Sequence, residues 1–516
     1  MKNVMKRIHV ILKPIVLLLL SFMALVLFNC SKNDEPTPDP EPVVVVPITL
    51  NSEINDFIWE GMNEIYLWQG QVPNLSDTKF ANQDQYYTFL NNYNSPESLF
   101  DDLLYQKDVI DKFSYLVNDY VALENSFQGI STSNGLDFGL VRLSGSNDIF
   151  GYIRYVANNS DASAKDIGRG EFFLTVNGQQ LTVSNYQNLL FGSNNTYTLG
   201  MANITNNSIA LNGKTVELTK TAFTESPILI NKVIDANGTK VGYLMYNQFI
   251  ANFDEALNDA FGELKTEGIT ELVLDLRYNP GGSVNSAILL SSMITGQFTN
   301  NVFSREIWNS KYQSYIEAND PVSLINRFVN KLNNNTPLNS LNLNKVYILT
   351  TEGSASASEL VINGLDPYID VVQIGTTTTG KYTASVTLYD SSNYGRTNAN
   401  PNHKYAIQPL VLKSANSLGV TDYFNGLVPD YLITYTTSSG TEEGENLLDL
   451  GTLGDVNEPF LEKALSLITG TISKSSNLKS DKLGIKVEAI SDSKDFTLLG
   501  KDMFVEFKPT NKLKKQ

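Results

Sequence analysis

Between residues 240 and 470 short apolar runs alternate with helical segments, and this alternation constrains the fold more than any other feature of the chain. The runs VGYLMYN (241–247), ELVLDLR (271–277), VYILT (346–350) and DVVQIG (370–375) read as strands. Residues near 253–267, 284–296 and 356–365 read as helices. Apolar strands separated by amphipathic helices bury both faces of a sheet, which implies an α/β layered structure. After residue 380 the pattern turns to β, and a last helix is predicted near 457–469.

The segments before this region differ in kind. In 51–125 the residues Ile54, Phe57, Ile58, Met62, Ile65 and Tyr66 recur at helical spacing. Ser95-Pro96-Glu97 supplies a hydroxyl cap followed by proline at the first helical position. These features predict a small helical cap domain, with Trp59 and Trp68 in its core. In 126–225 short β-prone runs alternate with Gly, Asn and Ser, which predicts a small, mostly β domain. Two stretches of it resemble a PDZ domain. Gly135-Leu136-Asp137-Phe138-Gly139 is similar to the carboxylate-binding turn of that family, and Ile167-Gly168-Arg169-Gly170 with Leu174–Gly178 is similar to its helix-to-strand passage. The resemblance implies that Leu136, Asp137, Phe138 and Gly139 bind a peptide carboxylate while a strand edge pairs with the peptide.

The chain opens with Lys2, Lys6, Arg7 and Lys13, followed by the apolar stretch 15–28 and then Cys30. That stretch is short for a transmembrane helix, which takes about 20 residues, and has the form of a signal-peptide core. A cysteine directly after such a core resembles the lipid-attachment site of bacterial lipoproteins, although Asn29 stands where that site prefers a small residue. The expectation is a signal peptide over 1–29 and lipid attachment at Cys30. The protein is then exported and lipid-anchored to the cell envelope, with the outer membrane as the expected site; display at the surface is one alternative, and which membrane face carries the protein is not legible. Alternating prolines make 30–47 a spacer. The expected domains are 48–125 helical, 126–225 PDZ-like, 226–470 catalytic and 471–516 a basic extension. That extension has ten lysines against six acids and reads either as a short appended module or as partly unstructured.

The formal net charge of −17 repels phosphate backbones, so nucleic acid is not an expected partner. With Cys30 as its one cysteine, the chain forms no intramolecular disulfide. No His/Cys/Asp cluster has metal-ligand spacing, and neither a metal nor a cofactor is expected. Beyond His9 in the export segment the only histidine is His403, in the loop-like Pro401-Asn402-His403-Lys404, where it reads as a surface residue. A Ser-His-Asp triad is therefore a weak rival. The Ser-x-x-Lys spacings at Ser76–Lys79, Ser476–Lys479 and Ser491–Lys494 are without the partner motifs of penicillin-binding enzymes and read as chance.

Three further segments carry chemistry. Asp275-Leu276-Arg277-Tyr278-Asn279-Pro280-Gly281-Gly282 leaves a strand and enters a helix, and its two glycines allow close backbone approach to a ligand. Gly353-Ser354-Ala355-Ser356-Ala357-Ser358-Glu359-Leu360 also joins a strand to a helix. A serine there sits beside unsatisfied N–H groups and the positive end of the helix dipole, although Ser356 with Glu359 also reads as a capping box. Gly380-Lys381 follows Gly375 and four threonines and, alone, reads as a surface charge.

Together and in this order, the three segments resemble the carboxyl-terminal processing, or tail-specific, serine peptidases. Asn425-Gly426-Leu427-Val428-Pro429-Asp430 matches a late motif of the same family, and the resemblance covers roughly 130–465. It implies a multidomain α/β chain with a small helical N-terminal domain, a PDZ-like β domain and a ClpP/crotonase-like α/β catalytic domain. It also implies Ser356 as nucleophile, Lys381 as general base 25 residues further on, and an oxyanion hole from the N–H groups of Ala357 and of Gly281 or Gly282. Lysine acts as a base only as the neutral amine, so a dry enclosure around Lys381 is expected. Ser385 stands where some members carry a glutamine, which leaves the third member of the site open. The implied activity is a serine endopeptidase acting on polypeptides through an acyl-enzyme. The alternative is a surface lipoprotein that keeps the fold and binds peptides without cutting them. Oligomeric state and natural substrate are not legible.

Overall fold

The computed structural model describes residues 47–205, 208–437, 440–471, 487–498, 500 and 502–507. The expected signal peptide, Cys30 and nearly all of the proline-rich spacer lie outside the described residues, as does Ser476–Lys479. Helices α1 (Glu53–Ile65), α2 (Gln83–Asn91) and α3 (Pro96–Asp102) start where the sequence supplies caps. Ser52 Oγ accepts the Asn55 N–H at 3.2 Å, and Ser95 closes a capping box ahead of Pro96. Phe57, Ile58, Met62 and Ile65 of α1 enter the same apolar core as Leu244, Leu274, Leu360 and Ile407. A Cβ on Gly61 would stand 2.9 Å from Ile407 Cδ1, and Asn309 Nδ2 donates to the Tyr66 carbonyl at 2.9 Å. The expected cap is therefore built into the core of the α/β region.

Helix α4 (Tyr120–Phe127) leads into the β domain. Its strands are β1 (Leu136–Leu143), β2 (Ile149–Val156), β3 (Phe172–Val176), β4 (Thr196–Thr205) and β5 (Ser208–Thr219), with α5 (Tyr186–Phe191) between β3 and β4. They enclose a separate small core of Phe138, Ile153, Phe173, Leu199 and Leu218. Leu136–Gly139, expected in a turn, begin β1 instead; the turn ends at Gly135, whose φ of +78° suits glycine.

The α/β region begins with β6 (Ile228–Ala236) and β7 (Thr239–Tyr246), then α6 (Asp254–Glu267), β8 (Glu271–Asp275), β9 (Gly282–Ser283) and α7 (Val284–Thr295). After β10 (Val302–Trp308), α8 (Ser310–Asn319) and β11 (Ile325–Arg327) come β12 (Lys345–Thr350), α9 (Ala357–Leu365) and β13 (Asp370–Gly375). The rest comprises β14 (Thr383–Ser385), β15 (Leu410–Asn416), β16 (Tyr431–Leu432) and α10 (Pro459–Thr469). One sheet has the order β6-β7-β8-β12-β13-β16, and its neighbours from β7 onward run parallel. Val241, Val273, Ile348, Leu349 and Ile374 are fully buried, as strands covered on both faces require.

The C-terminal extension adds two strands to distant sheets. Strand β17 (Val487–Asp492) extends the β-domain sheet to the order β17-β1-β2-β3-β4-β5. Strand β18 (Met503–Phe504) inserts between β9 and β14 in the second sheet of the α/β region, of order β9-β18-β14-β15-β10-β11. The described part of the extension is thus integral to both regions rather than an appended module.

Candidate active site

Ser356 is the last residue before α9, and its side chain meets the positive end of that helix. Its φ of +65° and ψ of −111° are conformations a serine adopts only under constraint, at a cost of about 1–3 kcal/mol. The residue is fully buried, and its Oγ has no hydrogen-bond partner. That orphan hydroxyl contradicts a mere capping role: the cap operates in the other direction, with the Ser356 N–H donating to Glu359 Oε2 at 2.7 Å.

Glu359 does more than the sequence indicates. It also accepts the Lys381 N–H on Oε2 at 2.8 Å, the Gly380 N–H on Oε1 at 2.7 Å, and the Thr378 hydroxyl. Burial pushes its carboxyl up, and these four donors pull against that shift. The Glu359 carboxylate so ties the serine turn to the lysine loop. The late Asn425–Asp430 motif straps the same loop from outside: Thr378 N–H donates to the Leu427 carbonyl at 3.2 Å, and Asp430 Oδ2 accepts the Gln373 N–H at 2.8 Å.

Lys381 is 1% exposed. Its Nζ stands 4.8 Å from the centre of the Phe113 ring, a residue of the N-terminal segment. The amine is buried as expected from the sequence, but its enclosure also holds a carboxylate. Asp502 Oδ1 accepts from Lys381 Nζ at 2.9 Å and from Ser385 Oγ at 2.9 Å, while Oδ2 accepts from Tyr115 Oη at 3.2 Å. Gln408 Nε2 donates to Ser385 Oγ at 3.0 Å, and Gln408 Oε1 is buried without a partner. A glutamine therefore does reach this corner, carried by the strand Ala406–Gln408 rather than by the position after the lysine. Ser356 Oγ and Lys381 Nζ are not hydrogen-bonded to each other in this state.

The glycine turn closes the site. A Cβ on Gly281 would lie 2.7 Å from Ser356 Cβ and 2.5 Å from the Asp502 carbonyl oxygen, and Gly281 has φ +113°. Only glycine fits. The Gly281 N–H is committed to Asn279 Oδ1 at 2.9 Å, which leaves Gly282 of the two expected alternatives as the oxyanion donor. Ala357 is the first residue of α9, so its N–H has no acceptor within the helix.

The other expected positions are accounted for separately. Asp137 pairs with the buried Arg154, and the Phe138 N–H donates to Ser493 Oγ at 3.2 Å. Leu136 and Gly139 are buried along β1, with Gly139 opposite Asp492 of β17. His403 is no surface residue: its side chain is 8% exposed, Nε2 meets Asp390 Oδ2 at 3.0 Å and Nδ1 accepts the Tyr405 N–H. Ser491 Oγ donates to Asp495 Oδ2 and Lys494 Nζ to the Tyr278 carbonyl, so that Ser-x-x-Lys pair is not a dyad. Glu359 was visible in the sequence only as a cap, and Asp502 only as one acid in a lysine-rich extension.

Known proteins similar to this chain come from one peptidase family. Residues 240–406 match the Peptidase family S41 domain, and residues 53–115 match the Peptidase S41 N-terminal domain. The chain is 27% identical over 168 residues to a carboxyl-terminal-processing protease of Picosynechococcus sp., covering 33% of this chain and 35% of that protein. It is 28% identical over 198 residues to the carboxy-terminal processing protease CtpB of Bacillus subtilis, covering 36% of each. These matches span about a third of the length of either relative. A crystal structure from Bacteroides fragilis NCTC 9343, assigned as an S41 protease, superposes with a TM-score of 0.59 at 26% identity, covering 82% of this chain and 99% of that one. The serine turn, the lysine loop and the glycine turn all fall within the matched 240–406 segment, so the candidate site lies in a Peptidase family S41 domain that is preceded by a Peptidase S41 N-terminal domain.

Proposed function

We propose that this protein is a serine endopeptidase that cleaves polypeptides through an acyl-enzyme on Ser356, with Lys381 as general base. The observation that carries this reading is the buried, unpartnered Ser356 hydroxyl at the mouth of α9, joined through one carboxylate to the backbone of a buried lysine. A serine hydroxyl needs a base within hydrogen-bond reach. In the active state the neutral Lys381 amine takes the Ser356 proton as Oγ attacks the substrate carbonyl. The protonated lysine then returns that proton to the leaving amine, and water resolves the ester by the same route.

Two N–H groups support the oxyanion: Ala357 from the helix start and Gly282 from the glycine turn. The Gly281 carbonyl and the Ser283 N–H are both used by Phe249, at 2.8 and 2.9 Å, so the alternation of strand β9 turns the Gly282 N–H away from Phe249. Losing one such donor lowers the rate by roughly 100–1,000-fold. Ser385 and Gln408 position the amine. The β1 edge of the PDZ-like domain takes an extended substrate segment by strand addition. Localisation is part of the proposal: the chain is exported and anchored through a lipid on Cys30.

The test is cleavage of an unfolded test protein by the wild type, Ser356→Ala and Lys381→Ala. Loss of cleavage in both variants with unchanged thermal unfolding is expected; unchanged proteolysis in Ser356→Ala refutes the assignment and favours a peptide-binding lipoprotein. A Cys30→Ser variant should move from the detergent phase to the aqueous phase on partition.

A further inference from the structure

The extension that the fold absorbs takes the route a substrate would take. Strand β17 adds antiparallel to β1, with Val487 opposite Leu143 and Asp492 opposite Gly139. Glu488 pairs with Arg142. Beyond the strand, Ser493 Oγ accepts the Phe138 N–H and donates to Asp137 Oδ2 at 3.0 Å, at the turn expected to bind peptide carboxylates. Phe496 stacks on Phe191 of α5 with centroids 4.1 Å apart, so the extension lies against both β1 and α5. This is how a peptide docks by strand addition: backbone along an edge strand and a side chain in an apolar pocket.

The same extension then enters the catalytic cleft. Met503 and Phe504 run parallel to Gly282 and Ser283, and the Val505 N–H donates to the Ser385 carbonyl at 3.1 Å. Because Phe249 uses the other side of β9, the Gly282 N–H faces this strand. The Asp502 carbonyl oxygen and Ser356 Cβ crowd the same point beside Gly281. A peptide carbonyl thus stands next to the nucleophile and the oxyanion donor. The adjoining Asp502 carboxylate is 2% exposed and ion-paired with Lys381. An ion-paired ammonium has no lone pair for the serine proton, and Ser356 Oγ is left without a hydrogen-bond partner.

We propose that the described residues of the extension, 487–498, 500 and 502–507, act as a tethered pseudosubstrate, which covers both the peptide-docking edge of β1 and the cleft at Ser356, and whose Asp502 withholds the Lys381 base. The inference rests on the assignment of Ser356 and Lys381 as nucleophile and base. It adds a substrate path, from β1 to β9, and a resting state that polypeptide substrates must displace. It also explains how an acidic side chain fills the pocket expected to be dry and uncharged.

The test uses the full chain. Wild type, Asp502→Asn and Asp502→Lys are compared for cleavage of an unfolded test protein, for labelling of Ser356 by a fluorophosphonate, and for thermal unfolding. Both variants are expected to cleave and to label at least tenfold faster than wild type while remaining folded. A synthetic peptide of sequence 487–507 added to Asp502→Lys should restore inhibition competitively with substrate, and the same peptide with asparagine at 502 should inhibit more weakly. Equal Ser356-dependent rates in all three proteins, or a peptide that does not inhibit, overturn the pseudosubstrate and leave the peptidase reading standing. Slower cleavage in Asp502→Asn also overturns it and places Asp502 in the catalytic machinery. Cleavage that persists in Ser356→Ala/Asp502→Asn, or absence of Ser356 labelling in every variant, overturns both.

Discussion

Ser356 and Lys381 donate their backbone N–H groups to one oxygen, Glu359 Oε2, at 2.7 and 2.8 Å. The nucleophile turn and the base loop are therefore registered by a shared acceptor before either side chain acts. The serine turn follows β12 and the lysine loop follows the neighbouring parallel strand β13. Besides the Glu359 carboxylate with its four donors, the Thr379 N–H donates to the Ser354 carbonyl at 3.0 Å between the same two segments.

Glu359→Gln tests that registration. An amide places an N–H donor where one carboxylate oxygen accepts two donors, and each orphaned buried donor costs about 1–3 kcal/mol. The variant is expected to lose about 2–5 kcal/mol in denaturant unfolding and to lose cleavage by at least two orders of magnitude, a loss mainly in kcat because the substrate track along β1 is untouched. A variant with wild-type stability and rate would show that the shared acceptor is dispensable.

Gly281→Ala probes the approach of the glycine turn to the serine. Its φ of +113° disfavours alanine, and the added methyl would meet Ser356 Cβ at 2.7 Å. Cleavage should fall at least 100-fold, with the far-ultraviolet circular dichroism unchanged. The same substitution at Gly268, a helix-end glycine with φ +71° and open space around its Cβ position, should cost stability but not activity.

A buried ion network fixes the strand that feeds this turn. Arg277 is fully buried between Asp275, Glu445 and Glu458, and Arg169 of the β domain reaches Glu445 at 2.7 Å. Arg277→Met leaves buried carboxylates unpaired and should cost about 3–5 kcal/mol in chemical denaturation. Burial works to raise the Glu445 carboxyl, but the Arg169 and Arg277 guanidiniums and the Tyr278 hydroxyl carry it down to about 2. A carboxyl lowered by folding contributes stability above its ordinary value near 4.5 and loses it as pH falls toward about 2. Glu445→Gln should therefore flatten the acid limb of the stability curve between those values.

Asp254 acts in the opposite sense. Burial raises its carboxyl to about 6, against the pull of the Ser286 and Asn285 side chains. A raised carboxyl contributes stability below its ordinary value of 3.8 and loses it as pH rises through about 6. Asp254→Asn should be more stable than wild type at pH 7.5 by about 2–3 kcal/mol, and the advantage should vanish below about pH 4. A pH-independent difference in melting temperature would contradict this.

Much of the fold is legible because local periodicity carries it. The strands expected at 241–247, 271–277, 346–350 and 370–375 and the helices near 253–267, 284–296 and 356–365 appear within a residue or two of their expected ends. These elements are apolar enough that burial decides them. Leu136–Gly139 reads as a turn because glycines flank it, whereas pairing with β2 and β17 makes it a strand. The helical segment 51–125 reads as a separate cap because its periodicity reveals an apolar face but not what that face covers. Asp502 was illegible for a related reason. It lies 121 residues from Lys381, in a lysine-rich stretch with no periodicity, and only the tertiary fold brings the two together.

The central claim is that Ser356 is a nucleophile served by Lys381. It is tested most directly by intact-protein and peptide mass spectrometry after treating Asp502→Asn, Asp502→Asn/Lys381→Ala and Asp502→Asn/Ser356→Ala with a fluorophosphonate. The account expects one adduct, on the peptide containing Ser356, strongly reduced without Lys381 and absent without Ser356. An adduct that persists in the Ser356→Ala protein, or none on Ser356 in Asp502→Asn, would contradict it.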